Sequence, residues 1–386
     1  MNVGHLFRRS LQSGMTVIEL LVAMLIALVS TIVIFQTFSV AEGYKRSTSS
    51  GGDAQSTAAL ALHTLDREIR RAGYSVNMPE FFGCKIRACD NELSLCTSPP
   101  APPQIPGGPQ TTLPDMRLDP IAITQGTGEV VVGGAPTIVG APDSIAIVAG
   151  SNDATPTPAR LISTMTSPTA DFTTSNPYGF SPGDLVLAVE LNKDCTIAQV
   201  SKVTGNQVEH MPGTYSPAGG GTQNIRYNQS SGLGVTYNAN DARLYNLGQS
   251  PRARSFSLLN DQLLVQDGLA TSSTLPAPLF DNVVQLQAEY GKDTNGDGVV
   301  DQFDAVKPTN QAEWRQVVAV RIVLVTRAGQ YEKDEVSAAS ILLWPRSTVA
   351  PTTAGAQWNL TSDQRHYRYK VLHTIVPVRN LIWRPT

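Results

Sequence analysis

Hydropathy divides this chain into an apolar N-terminal stretch, a shorter amphipathic stretch and a long remainder of brief strand-like runs. From Met15 through Val40 the sequence MTVIELLVAMLIALVSTIVIFQTFSV carries one charged residue, Glu19. As a helix, Leu20–Val40 would be about 31 Å long, matching a hydrocarbon core of about 30 Å. No Pro or Gly interrupts residues 15–42. Further on, Ala58, Leu62, Leu65, Ile69 and Ala72 recur at the spacing of one helical face, with Asp66, Arg67, Glu68, Arg70 and Arg71 on the rest. Ala72-Gly73 reads as a helix stop after a basic last turn. Gly51-Gly52 is the weak spot, at about 1 kcal/mol per Gly relative to Ala. The pattern predicts one long helix over 15–73, transmembrane over about 20–40, whose second half packs onto a β-rich head.

From Tyr74 onward no long 3.6-residue period appears. Alternating or continuous apolar runs predict strands at Ser144–Ala149, Leu185–Glu190, Cys195–Val203, Gln262–Gln266, Val283–Tyr290, Val317–Thr326 and Tyr367–Val378. Two stretches between them, Pro-rich Thr97–Pro114 and the Gly/Ser/Asn/Thr-rich Pro212–Asn240, read as surface loops or disorder. The fold class expected is α+β, a long helix on a large antiparallel β-rich head over 74–386, with no linker that would split it. Composition agrees, since 31 Gly and 26 Pro with few charges suit short strands joined by turns.

Residues 1–14, MNVGHLFRRSLQSG, are short, polar and basic. Arg8 and Arg9 would hold the N-terminus in the cytoplasm, so everything after residue 41 is expected to be exported. In a secretory signal the small cleavage-site residue follows the apolar region, whereas here Gly14 precedes it. A carboxylate at Glu19, at the start of an apolar run, is expensive without a partner. Gly14, Glu19 and MTVIELLVAMLIAL together resemble the type IV prepilin signature. The resemblance implies that 1–14 is a leader cut after Gly14 by a prepilin peptidase, which methylates the new amine on Met15. It also implies that Glu19 pairs with the amine of a neighbouring subunit when helices bundle. Met in the first mature position departs from the Phe more usual in the family, and many major pilins carry a helix break that is missing here.

Further down the chain, REIRRAGY, GDLVLAVE, FDNVVQLQAEYGKDTNGDGVVDQFD, EWRQVVAVRIVLVTR and YRYKVLHTIVPVRNL resemble PilW-type minor pilins. That likeness implies a structural subunit that helps prime type IV pilus assembly at or near the tip. Implied partners are other minor pilins, the major pilin and a large PilY-class tip adhesin. Implied localisation is the inner membrane, single-pass with a periplasmic head, and then the pilus at the cell surface. The alternatives are a minor pseudopilin of a type II secretion system, or a pilus subunit acting directly in adhesion or DNA uptake.

Export bears on the four cysteines, Cys84, Cys89, Cys96 and Cys195, which match no zinc or CxxC redox spacing and have no histidine nearby. They are disulfide candidates with three possible pairings. Cys84 with Cys89 or Cys96 would staple the loop after the helix, and Cys195 would tie it to a distant strand.

The sharpest local chemistry is DTNGDGVVDQFD at 293–304. Oxygen side chains of Asp293, Asn295, Asp297, Asp301 and Asp304 fall at positions 1, 3, 5, 9 and 12 of an EF-hand loop. Gly298 takes the sharp-turn position and the Val299 carbonyl falls at position 7. The spacing predicts a structural calcium loop in a β framework, with Asp replacing the usual final Glu. No nucleophile elbow, phosphate loop, dinucleotide fingerprint or zincin motif is present, so no enzyme is expected. Net charge is −3, which gives no basic field for nucleic acid. Arg252, Arg254, Tyr245 and Phe256 could form a small basic-aromatic patch, but read as a solvated loop.

Overall fold

The computed structural model describes residues 15–88, 91, 117–130, 136–151, 157–267, 276–345 and 355–382. The chain divides into two units, residues 1–52 and 53–386. One helix, Val17–Arg71, runs through both.

In the first unit this helix is apolar on all sides as far as Val40, and side chains such as Ile18, Leu25 and Phe35 are exposed. By length and composition it can cross a membrane once. Two of its threonine hydroxyls are satisfied internally: Thr31 Oγ1 donates to the Ala27 carbonyl at 2.7 Å and Thr37 Oγ1 to the Val33 carbonyl at 3.0 Å. Such back-bonding lets a polar residue sit in an apolar surround.

In the second unit the same helix turns Ala54, Ala58, Ala61, Leu65 and Ile69 into the core. The alanines let a sheet approach closely, and Thr326 Oγ1 donates to the Ala54 carbonyl at 2.8 Å. The expected stripe is shifted slightly: Ala61 is fully buried, while Leu62 is half-buried. The helix stops where Gly73 adopts φ +74°, a left-handed conformation that costs glycine little. Its last carbonyls are met by a side chain from the far end of the chain, since Asn380 Nδ2 donates to the Ala72 carbonyl at 3.0 Å.

Three antiparallel-dominated sheets share the core beneath this helix. The C-terminal sheet runs in the order Gln302–Asp304, Val283–Lys292, Val317–Arg327, Tyr369–Pro377. Val317–Arg327 is covered on both faces, which explains its unbroken apolar run. Val320, Ile322 and Leu324 belong to one core cluster with Leu65 and Ile69, whereas Val323 and Val325 belong to another with Leu343, Trp344 and Ala356. A second sheet runs Ala277–Asp281, Gln262–Asp267, Arg252–Leu259, Ser144–Ala149, Ile121–Thr124. The third runs Ile86–Arg87, Cys195–Gln199, Leu185–Val189, Arg243–Gly248, Ala159–Arg160, and Leu185–Val189 is buried along its whole length. The molecule is α+β, a long apolar N-terminal helix with a large antiparallel β-rich domain.

Cys84 and Cys195 form a disulfide, with Cα atoms 5.8 Å apart. It fastens the segment after the helix to the third sheet, beside the parallel pairing of Ile86–Arg87 with Cys195–Thr196. Cys89 and Cys96 lie outside the described residues, as do Thr97–Pro114 and Gly14.

Two expectations need correcting. Pro212–Asn240 is not simply a surface loop, because Ile225–Asn228 and Tyr237 are buried. Asn228 brackets the end of a strand, accepting from Gln199 N–H at 2.7 Å and donating to its carbonyl at 2.6 Å. Tyr237 donates its hydroxyl to Thr196 Oγ1 at 2.8 Å. These side chains give partners to polar groups of the Cys195–Gln199 strand that are buried away from water. Likewise, Arg252 and Arg254 belong to a strand, not a solvated loop, and Tyr245 and Phe256 are core residues.

Candidate functional site

The acidic loop joins two adjacent strands of the C-terminal sheet. Asp293 N–H donates to the Gln316 carbonyl at 2.7 Å, and Asp301 N–H donates to the Lys292 carbonyl at 2.8 Å, closing the loop at its base. Beyond it the chain returns, with Tyr290 opposite Asp304 and Lys292 opposite Gln302.

Within the loop the carboxylates hold backbone amides. Asp293 accepts from Gly296 N–H at 2.6 Å and from Gly298 N–H at 2.8 Å, one with each oxygen. Asn295 Oδ1 accepts from Asp297 N–H and Asp297 Oδ1 accepts from Val299 N–H, so each residue fixes the turn two positions on. Gly298 has φ +86°, where a side chain would be strained, and this is the position at which the loop spacing requires a sharp turn. Asp301 accepts from Thr294 Oγ1 and N–H, both at 2.7 Å, and these bonds hold its carboxyl below the usual range.

Asp304 faces elsewhere. Its Oδ1 lies 2.7 Å from Lys292 Nζ and accepts from Val306 N–H at 2.9 Å, while Oδ2 accepts from Gln302 Nε2 at 2.6 Å. No three His, Cys, Asp or Glu side chains converge on a point that could hold a metal among the described residues. The donor chemistry nonetheless fits a hard divalent cation at Asp293, Asn295, Asp297, Asp301 and the Val299 carbonyl, all of them oxygens. Position 12 departs from that fit, because Asp304 already has a cationic partner. Lys292 was not legible as part of the site, since its strand reads simply as VVQLQAEYGK.

The sheet behind the loop carries a second polar group. Arg321 lies between the rings of Phe303 and Trp344, with its guanidinium carbon 4.6 and 4.3 Å from their centroids. Its Nε donates to Glu289 Oε2 at 2.7 Å. Burial pushes Glu289 up to about 7, although Arg321 opposes that shift. Phe303 thus links the loop's exit strand to a part-buried ion pair.

A third cluster sits on the long helix. Glu68 is 2 % exposed, and its Oε1 is approached by Arg254 at 3.3 Å, Arg252 at 3.5 Å, Arg71 at 3.5 Å and Arg67 at 4.0 Å. One buried carboxylate thus holds the helix to the second sheet. Alternation of cations in RAR at 252–254 was the only signal of this in the sequence. At the start of the helix, Met15 is exposed and Glu19 lies in the first turn, with Thr16 Oγ1 accepting from Glu19 N–H at 3.3 Å.

Residues 245–380 match the family model of Type IV Pilus-assembly protein W. The matched span takes in the acidic loop, the whole C-terminal sheet and the strand that carries Arg252 and Arg254. Neither the curated proteins nor the solved structures give a match. Together with the apolar N-terminal helix, the family match supports a type IV pilus-related protein, one involved in pilus assembly.

Proposed function

We propose that this chain is a minor pilin, a structural subunit that helps prime type IV pilus assembly at or near the tip and is not an enzyme. The observation that carries this reading is the combination of an all-round apolar helix with a head matching the pilus-assembly family over residues 245–380. An apolar surface such as that of Met15–Val40 needs lipid before assembly and neighbouring helices afterwards. Glu19 would then pair with the methylated amine of an adjacent subunit, since a buried carboxylate is tolerated beside an ammonium. Cleavage after Gly14 by a prepilin peptidase would create that amine on Met15. The N-terminus would be cytoplasmic and the head periplasmic. Other minor pilins, the major pilin and a PilY-class tip adhesin are the partners.

Calcium has a structural role in this proposal. Asp293, Asn295, Asp297, Asp301 and the Val299 carbonyl would hold it, with Asp304 joining only by leaving Lys292. The cation would offset repulsion among neighbouring carboxylates and stiffen the two strands that the loop joins.

A pseudopilin of a type II secretion system would share the helix, but the match to a pilus-assembly family favours the pilus. A deletion strain separates the two. Loss or sharp reduction of surface pili with intact secretion is expected; normal piliation with a secretion defect would overturn the proposal.

A further inference from the structure

Strand Tyr369–Pro377 forms one edge of the C-terminal sheet, pairing with Val317–Arg327 and with no other described strand. The phase of that ladder is fixed at both ends. Ala328 N–H donates to the Arg368 carbonyl at 2.8 Å, and Val378 N–H donates to the Val318 carbonyl at 3.0 Å. Hydrogen-bonded pairs alternate along an antiparallel ladder, so Lys370, Leu372, Thr374 and Val376 turn their backbone groups inward. Tyr369, Val371, His373 and Ile375 therefore turn theirs outward. Those outward groups make no backbone hydrogen bond among the described residues.

Among the described residues the edge is open as well as unpaired. His373 is exposed, and Ile375 keeps 54 % of its surface. Long, flat edges with β-branched residues recruit other strands unless blunted by charge, Pro or a cover. Here exposed Lys370 lies near one end and Pro377 at the other, leaving the outward groups of Val371, His373 and Ile375 between them.

Charge selects the occupant. From Tyr367 to Thr386 the sequence contains no Asp or Glu, while Arg368, Lys370 and Arg379 lie along or beside the strand. Arg368 is partly neutralised by Glu332 at 3.3 Å. Edge-to-edge pairing of two copies would bring these cations together, which opposes self-association. A strand bearing acidic side chains would be attracted.

We propose that the Tyr369–Pro377 edge docks an extended, acidic strand from a different protein chain by adding it to the sheet. This goes beyond the pilus reading and does not depend on it. The added strand takes its register from the outward groups of Val371, His373 and Ile375, and its specificity from carboxylates facing Lys370 and Arg379.

The test uses the full-length chain in membranes of cells that produce it, with photoreactive p-benzoylphenylalanine at Ile375. Illumination should give a cross-link to a different chain, attached within an extended segment containing Asp or Glu. A His373→Pro change removes one outward N–H and leaves the inward ladder intact, since edge strands accept Pro where the N–H faces solvent. It should lower the cross-link yield about tenfold. Retention of the Cys84–Cys195 disulfide reports that this variant has folded. If it has not, Lys370→Glu replaces it and should lower the yield by repelling the acidic partner. A cross-link only to a second copy, no cross-link at all, or an unchanged yield in the folded variant would overturn the proposal.

Discussion

Lys292 Nζ lies 2.7 Å from Asp304 Oδ1, and the lysine is nearly buried where the acidic loop leaves the sheet. The ammonium therefore occupies the carboxylate that the loop spacing offers as its last ligand. Calcium and Lys292 would compete for Asp304. Replacing Lys292 with Gln should lower stability without calcium by about 1–3 kcal/mol, because Asp304 loses its counter-charge. Added calcium should restore most of that loss, and the melting temperature of the variant should respond to calcium more strongly than that of the parent. Asp293→Asn combined with Asp297→Asn should abolish the calcium response in both backgrounds. Melting curves with calcium and with chelator measure all of this; the same response in parent and double variant would remove calcium from the proposal.

The Cys84–Cys195 bond closes a long stretch of chain, with a sequence separation of 111. Cross-links of that span restrict the unfolded chain strongly, so Cys195→Ser should cost about 2–5 kcal/mol. Peptide mapping without reduction should recover the segments around Cys84 and Cys195 as one linked species.

Glu68 should matter far more than its neighbour Asp66. Glu68→Gln keeps the shape but leaves Arg67, Arg71, Arg252 and Arg254 without their shared carboxylate, at a cost of about 3–5 kcal/mol. Asp66→Asn removes only a helical pair with Arg70 at 2.8 Å and should cost about 0.3–0.5 kcal/mol. Urea midpoints of the two variants should therefore differ clearly. Near-equal midpoints would mean that the arginine cluster contributes little.

Asp143 gives stability a pH dependence of known sign. It is buried, its two oxygens accept from Gly126 N–H at 2.9 Å and Ala288 N–H at 2.8 Å, and burial pushes it up to about 6. Between about pH 4 and pH 6 the folded chain keeps a proton that the unfolded chain releases. Its contribution is therefore fully present below about pH 4, is lost as pH rises through 6, and then levels. The rise from the ordinary carboxyl range to about 6 corresponds to about 3 kcal/mol. Asp143→Asn should be less stable throughout, since one amide loses its acceptor, yet should flatten that part of the profile. Thermal melts at pH 4 to 7 provide the comparison.

Long-range chemistry separates what could be read in the chain from what could not. Ser144–Ala149 was legible to the residue, and Val317–Thr326 ended one residue short, because each strand's burial is written in its own apolar pattern. Arg252–Leu259 was missed, as RARSFSLL looks solvated until Glu68 and the Ser144–Ala149 strand are placed beside it. Glu68 itself looked like part of a polar helix face, since two of its guanidinium partners come from a distant strand. Pro212–Asn240 hid its buried residues for the same reason, because Asn228 and Tyr237 act on the Cys195–Gln199 strand. Four cysteines allowed three pairings, and only the fold brings Cys84 beside Cys195. In the acidic loop the ligand spacing was legible, but the lysine that takes Asp304 comes from the preceding strand, which no loop template includes.

The identity of the mature N-terminus tests the pilin reading most directly. Protein extracted from membranes and analysed by N-terminal sequencing and intact mass should begin at Met15 with a methylated amine. An intact Met1, or a first residue beyond Val40, would contradict it.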